Sequence, residues 1–137
     1  MRQNKEDYLL SGKFSLTKEE RLSGKKAIDH LFTNGDSILV YPFRIAFVRI
    51  DKTEQPLPSI LISVAKKRFK RAVWRNKIRR RSKEAYRLNK SILTDALQSK
   101  EYTLQIAFVY IDKEIKPFSY LNDRMVKLLK QLTEKLP

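Results

Sequence analysis

Residues 66–90, KKRFKRAVWRNKIRRRSKEAYRLNK, hold thirteen Lys and Arg and a single acid, Glu84. A run of like charge is ordinarily a disordered tail or a solvated face, so the way these residues fall in helical phase decides what the chain can build around them. At about 100° per residue, Trp74, Ile78 and Ala85 fall together, with Ser82 and Leu88 at the edges. Arg75, Asn76, Arg79, Arg80, Lys83 and Arg87 gather on the opposite side. One amphipathic helix over about 72–89 accounts for both faces, and its apolar stripe docks it on a core.

Docking turns the charge into a shaped surface. Arg75 with Arg79, Arg79 with Lys83, and Lys83 with Arg87 are like charges at i,i+4, each costing roughly 0.2–0.5 kcal/mol when exposed. Bound anions remove that cost. Residues 66–90 carry a net +12 of the chain's +15, and a localised basic block attracts phosphate and speeds encounter with polyanions. Within the helix arginine outnumbers lysine, which favours forked contacts to phosphate oxygens. Asn76 can bond to a base edge, to a ribose or to its own helix.

The surrounding patterns describe a small α+β domain. Residues 1–13 lack sustained periodicity and read as a flexible amino-terminal tail, leaving 14–137 as one domain. Ser23 can cap a helix over about 24–34, with Ala27, Ile28, Leu31 and Phe32 inward and Gly35 at its end in a left-handed conformation. FRIAFVRI, residues 43–50, alternates Phe43, Ile45 and Phe47 against Arg44, Ala46 and Val48, which is strand periodicity. SILISVA (59–65) is a second strand, able to pair antiparallel with the first, and YTLQIAFVY (102–110) is a third. Ser119 can cap a last helix, about 120–134, with Leu121, Met125, Leu128, Leu129 and Leu132 on one stripe. Helices packed on one small sheet follow.

The chain contains no cysteine, so disulfides and thiol chemistry are excluded. The amino end lacks the apolar run of a signal peptide, and no stretch approaches the roughly 18 apolar residues of a membrane span. A cytoplasmic protein is expected. Membrane-surface binding is disfavoured because the basic helix offers mainly Trp74, Ile78 and Leu88 as an inserting face.

The stretch SVAKKRFKRAVWRNKIRRRSKEAY resembles the signature of the bacterial ribonuclease P protein component. Its core here is Arg75-Asn76-Lys77-Ile78-Arg79-Arg80, preceded by Lys66, Lys67 and Ala72 and followed by Glu84 and Tyr86. FSLTKEERL (14–22) and the run from Lys25 to Ser37 are similar to the start of that family's domain. Lys70 stands where many members have Gly, and Ile28 where many have an aromatic. The resemblance implies an α+β fold of order αβββαβα, a small mixed sheet packed with helices in which the basic helix lies in a left-handed βαβ crossover, as in a domain of a small-subunit ribosomal protein. General rules favour the right-handed form.

The resemblance also implies that the protein is the auxiliary subunit of an endoribonuclease. It would bind a catalytic ribonuclease P RNA and the 5′ leader of precursor tRNA while the RNA hydrolyses the leader with Mg2+ held mainly by RNA. The expected RNA-binding residues are Lys66, Lys67, Arg68, Arg71, Arg75, Asn76, Lys77, Arg79, Arg80, Lys83 and Arg87. A leader cleft between the first helix and the sheet makes Phe32, Phe43 and Phe47 candidate stacking platforms, with plain core packing as the other reading of each. No catalytic residue, no tightly bound metal and no small-molecule substrate are expected of the protein alone. His30 is the only histidine and cannot form an acid-base pair, while Glu19-Glu20 and Asp112 with Glu114 read as solvated helix-start and turn residues. A stand-alone RNA-binding module, such as a ribosomal protein, would use the same helix, and differs in leaving tRNA maturation independent of the chain.

Overall fold

The structure, a computed structural model, describes residues 18–137; the expected tail, 1–13, lies outside them. After a 3-10 turn at Lys18–Glu20 come α1 (Lys25–Asn34), β1 (Asp36–Val40), β2 (Phe43–Asp51), β3 (Ser59–Val64), α2 (Ala72–Asn89), α3 (Ser91–Leu97), β4 (Tyr102–Tyr110) and α4 (Phe118–Lys135). The expected αβββαβα order holds, with α3 as an extra short helix after the basic one. Residues 36–40, not read as a strand from pattern, form β1 and close a two-residue turn at Tyr41-Pro42 against β2.

Strand pairing departs from the simplest local expectation. The sheet order is β1-β2-β4-β3, so β2 and β3 are not neighbours; β4 enters between them, antiparallel to β2 and parallel to β3. Parallel neighbours require a crossover, and here α2 and α3 supply it. The basic segment is therefore the connection that joins two hydrogen-bonded strands.

One face of the sheet carries the main core. Phe43, Ile45 and Phe47 of β2, Leu104, Ile106, Phe108 and Tyr110 of β4, and Ile60, Ile62 and Val64 of β3 meet Ile78, Ala85 and Tyr86 of α2 and the Leu121–Leu132 stripe of α4. Edge-on rings link these layers: Phe43 to Phe108 and Tyr110 at 6.1 and 5.8 Å, and Tyr86 to Phe108 at 5.8 Å. On the opposite face Leu22 and Leu31 cover Val48 and Ala107. Helix α1 begins beside Ile60, where the Leu22 amide donates to the Ile60 carbonyl at 2.7 Å, and ends against the Phe47 carbonyl. It thus crosses β3, β4 and β2.

Several local expectations give way to packing. Ser23 and Ser119 cap nothing: the residues before α1 and α4 are Gly24 and Pro117, and neither helix start has a side-chain cap bond. Gly35 is extended, not left-handed. Its lack of a side chain is needed instead because a Cβ would collide with the Leu31 carbonyl oxygen and crowd that of Phe47. The docked stripe of α2 is Ile78, Ser82, Ala85 and Tyr86, all fully buried, while Trp74 and Leu88 are 39% and 40% exposed. The buried face is rotated by roughly 45° toward Tyr86 relative to the stripe read from Trp74, Ile78 and Ala85.

Glu20 and Asp112 are buried, at 3% exposure each, and not solvated as expected. Glu20 accepts from the Lys90 ammonium at 2.9 and 3.2 Å. Asp112 accepts from the Glu114 amide at 2.9 Å and lies 3.6 Å from the Lys116 ammonium.

Two buried tyrosines make contrasting predictions. The Tyr110 hydroxyl donates to the Glu114 carbonyl at 2.7 Å and accepts from the Lys116 amide at 3.3 Å, whereas the Tyr86 hydroxyl is buried with no hydrogen-bond partner among the described residues. Tyr110→Phe is expected to cost about 1 kcal/mol and Tyr86→Phe to be neutral or stabilising, as read from urea midpoints. Burial pushes the Tyr110 phenol up to about 12 and raises that of Tyr86 as well. Both phenols ionise near 10 in the unfolded chain, so the stability of their neutral forms is intact below that pH. It is lost as pH climbs from about 10 through the folded values, and each Phe variant removes part of that alkaline loss.

Candidate nucleic-acid interface

The cationic surface is built on α2 and on residues 65–71, which lead into it. Phe69 is the buried anchor of that approach, its ring 6.1 Å from Tyr110. Lys66, Lys67, Arg68, Lys70 and Arg71 stay exposed around it. Helix α2 starts with no side-chain cap and no acid in its first turn, so the positive end of its dipole adds to the same field.

The expected RNA-binding residues separate into two groups once their partners are seen. Arg75 donates to the carbonyls of Phe69 and Lys70 at 2.7 and 2.8 Å, tying the approach to the first turn of the helix. Arg87 is held by Glu84 through bonds of 2.7 and 2.8 Å. That pairing lowers the Glu84 pKa and raises that of Arg87, in each case chiefly through the side-chain hydrogen bond. Outside the expected set, Arg81 donates to the Lys116 carbonyl at 2.6 Å and Asn89 to Asn122 Oδ1 at 2.7 Å, so both fasten α2 to the α4 side of the molecule.

The second group faces solvent. Among the described residues, Lys66, Lys67, Arg68, Arg71, Lys77, Arg79, Arg80 and Lys83 have no carboxylate within ion-pair distance. Arg79 donates to Asn76 Oδ1 at 3.1 Å, so Asn76 orients a cation and keeps its amide hydrogens outward. Here Asn76 bonds to a neighbouring side chain and not to the backbone.

Arg21 belongs with this group and was not singled out by sequence. The Glu20–Lys90 pair and the bridge from Arg21 to Ile60 hold the segment before α1 against β3. As a result Arg21 lines a hollow of about 360 Å3 with Arg79, Lys83 and an apolar floor of Leu22, Ile60 and Ile62. It also lines a second, of about 340 Å3, with Arg80, Lys83, Glu84 and Arg87. Nothing local marks Arg21, since its place depends on the contact its neighbour Glu20 makes with a residue 70 positions away. A larger hollow, about 650 Å3, lies at the far end of the sheet, where Asp36 offsets Arg49 and Lys135; its mixed charge gives it no preference for a polyanion.

The face crossed by α1 keeps an open strip. Strand register places Leu39, Arg44, Val109 and Ser63 in one row across β1, β2, β4 and β3. Leu39 and Arg44 are exposed, Val109 and Ser63 half-buried. The row ends where β3 passes into the basic approach. Phe32 on α1 is 50% exposed, but Phe43 and Phe47 are 0% and 6% exposed on the other side of the sheet. Those two rings are core residues and do not line the cleft, because side chains alternate along β2 and it is Arg44, Ala46 and Val48 that face α1.

Among the described residues no acid-base pair accompanies these cations. His30 is exposed on α1 and its Nδ1 lies 3.0 Å from the Asn34 side-chain amide. Among the described residues no three of His, Asp and Glu gather around a common point, and no helix is long and apolar enough to cross a membrane.

Comparison with known proteins gives these features a family. The Ribonuclease P family profile matches residues 16–133. The ribonuclease P protein component of Porphyromonas gingivalis is 39% identical over 124 residues, covering 90% of each chain. That of Chlorobaculum tepidum is 36% identical over 104 residues, 70% of this chain and 67% of its own. The solved RNase P protein of Thermotoga maritima superposes with a TM-score of 0.64 at 24% identity, over 82% of this chain and 96% of that one. The Staphylococcus aureus protein gives 0.62 at 20%, over 82% and 94%, and both likenesses bear on the fold. With a profile spanning most of its length and a relative matched over nine-tenths of both chains, this chain belongs to the family of ribonuclease P protein components.

Proposed function

We propose that the chain is the protein subunit of bacterial ribonuclease P, binding the catalytic RNA and assisting removal of the 5′ leader from precursor tRNA. The observation that carries this reading is the set of solvent-facing cations on α2 and its approach, held in fixed geometry by Phe69, Arg75 and the buried stripe of the helix. A rigid cationic face positions phosphates without ordering a floppy arm on binding. The single-stranded leader follows the open strip beside α1, where Arg44 supplies charge, Leu39 and Val109 apolar surface, and Phe32 an exposed ring.

In this reading protein and RNA divide the labour. Mg2+ would be held mainly by the RNA and would supply the activation of water there. The protein contributes binding and orientation, and is inactive by itself. Membership of the family argues for this over a stand-alone RNA-binding module using the same helix.

The test is 5′-leader cleavage of a precursor tRNA at low Mg2+, comparing ribonuclease P RNA alone, the protein alone, and both. Cleavage should be strong only with both. Cleavage by the protein alone would overturn the assignment of chemistry to RNA, and no gain over RNA alone would favour the stand-alone module.

A further inference from the structure

Helix α2 displays a large aromatic side chain where its own amphipathic pattern would bury one. Trp74 is 39% exposed and its neighbour Val73 59% exposed, at the first turn of the most basic helix in the molecule. The cause is the rotation of the buried stripe toward Tyr86, which moves Trp74 to the helix edge. Among the described residues neither ring nor cation stacks on it, although Arg49 and Lys116 each sit over a tyrosine elsewhere. Lys77 is its i,i+3 neighbour on the helix, and Lys70 and Arg71 are exposed in the approach just before it.

Charge complementarity selects what covers this patch. An apolar protein surface would have to desolvate the surrounding cations, at a cost that rises with burial. A nucleic-acid strand gives each of them a phosphate and gives the indole a base of similar size and planarity. We propose that Trp74 stacks on an unpaired base of the RNA bound along α2, with Arg71 and Lys77 on the flanking phosphates. The inference rests on the RNA-binding role proposed above and adds to it an aromatic, base-stacking residue on a helix whose other outward side chains are mostly cations.

The chain has one tryptophan, so its emission reports on residue 74 alone. The experiment titrates the full chain with a bacterial ribonuclease P RNA transcript, following complex formation by filter binding and reading tryptophan emission and acrylamide access on the same samples. Emission should be quenched and acrylamide access should fall as the complex forms. Trp74→Ala should weaken binding on the order of tenfold and Trp74→Phe much less, since stacking needs only a π-face. Neither should change the salt slope, because every phosphate keeps its cation.

A complex that forms with emission and access unchanged overturns the stacking role and leaves the RNA-binding role standing. So does brightening with a blue shift, which means burial against apolar surface without a base. Failure to form any complex removes the RNA-binding role and this inference together. The wild-type emission stands independently of whether the Ala variant folds.

Discussion

Replacing Arg79, Arg80 and Lys83 together by Ala is expected to lower affinity for ribonuclease P RNA on the order of 100-fold near 0.1 M salt. Each phosphate that is no longer neutralised should flatten the log-log salt dependence by roughly 0.7–0.9 units, about two to three in all. The fold should survive, because none of the three makes an ion pair among the described residues. Removing them also relieves like-charge repulsion from Arg75 and Arg87, a gain of a few tenths of a kcal/mol per pair. Arg75→Ala provides the contrast. It releases two carbonyls of the approach and should cost about 1.5–3 kcal/mol of stability, the range for hydrogen bonds from a charged group. Filter binding across a salt series, with urea unfolding in parallel, separates the two effects. An unchanged slope in the triple variant would remove these side chains from the RNA interface.

The contrast bears on how far the interface is legible from sequence. All the basic residues of α2 look alike as charge, yet Arg75, Arg81 and Arg87 are committed to a carbonyl or a carboxylate while Arg79, Arg80 and Lys83 are not. Periodicity finds the helix and its two faces, because a 3.6-residue repeat survives small errors of phase. It does not place the centre of the buried stripe, and that offset decides the exposure of Trp74. The same alternation rule that identifies β2 as a strand also sends Phe43 and Phe47 to the core, once the face carrying α1 is known. The topology has no such local signal: insertion of β4 between β2 and β3 pairs distant segments that nothing in either one marks. Caps failed for a related reason. Ser23 and Ser119 have the right chemistry, but the chain enters α1 and α4 through Gly24 and Pro117, where packing sets the direction of approach.

The pairing of Glu20 with Lys90 is the most distant of these unmarked features and makes the second large prediction. Both side chains are almost out of water, with 4% and 11% of their surface exposed, and Lys90 stands at the joint between α2 and α3. Removing the cation takes the ammonium away from a buried carboxylate, so Lys90→Met is expected to destabilise the protein by about 3–5 kcal/mol. Glu20→Gln should cost less, since the amide oxygen still accepts from Lys90. Replacing both by apolar residues should recover much of the loss, because a desolvated pair is worth little more than well-packed hydrocarbon of the same volume. A double-mutant cycle in urea reads the coupling directly; a Lys90→Met variant as stable as wild type would mean the carboxylate is not confined. The pair also holds Arg21 against β3, in the hollow it shares with Arg79 and Lys83. In conditions where the double variant is folded, the salt slope for RNA binding should therefore drop by about one phosphate's worth, and Arg21→Ala alone should give the same drop without loss of stability. A drop in the first variant but not in the second would show that Glu20 and Lys90 shape the cationic face through α2 itself and not through Arg21.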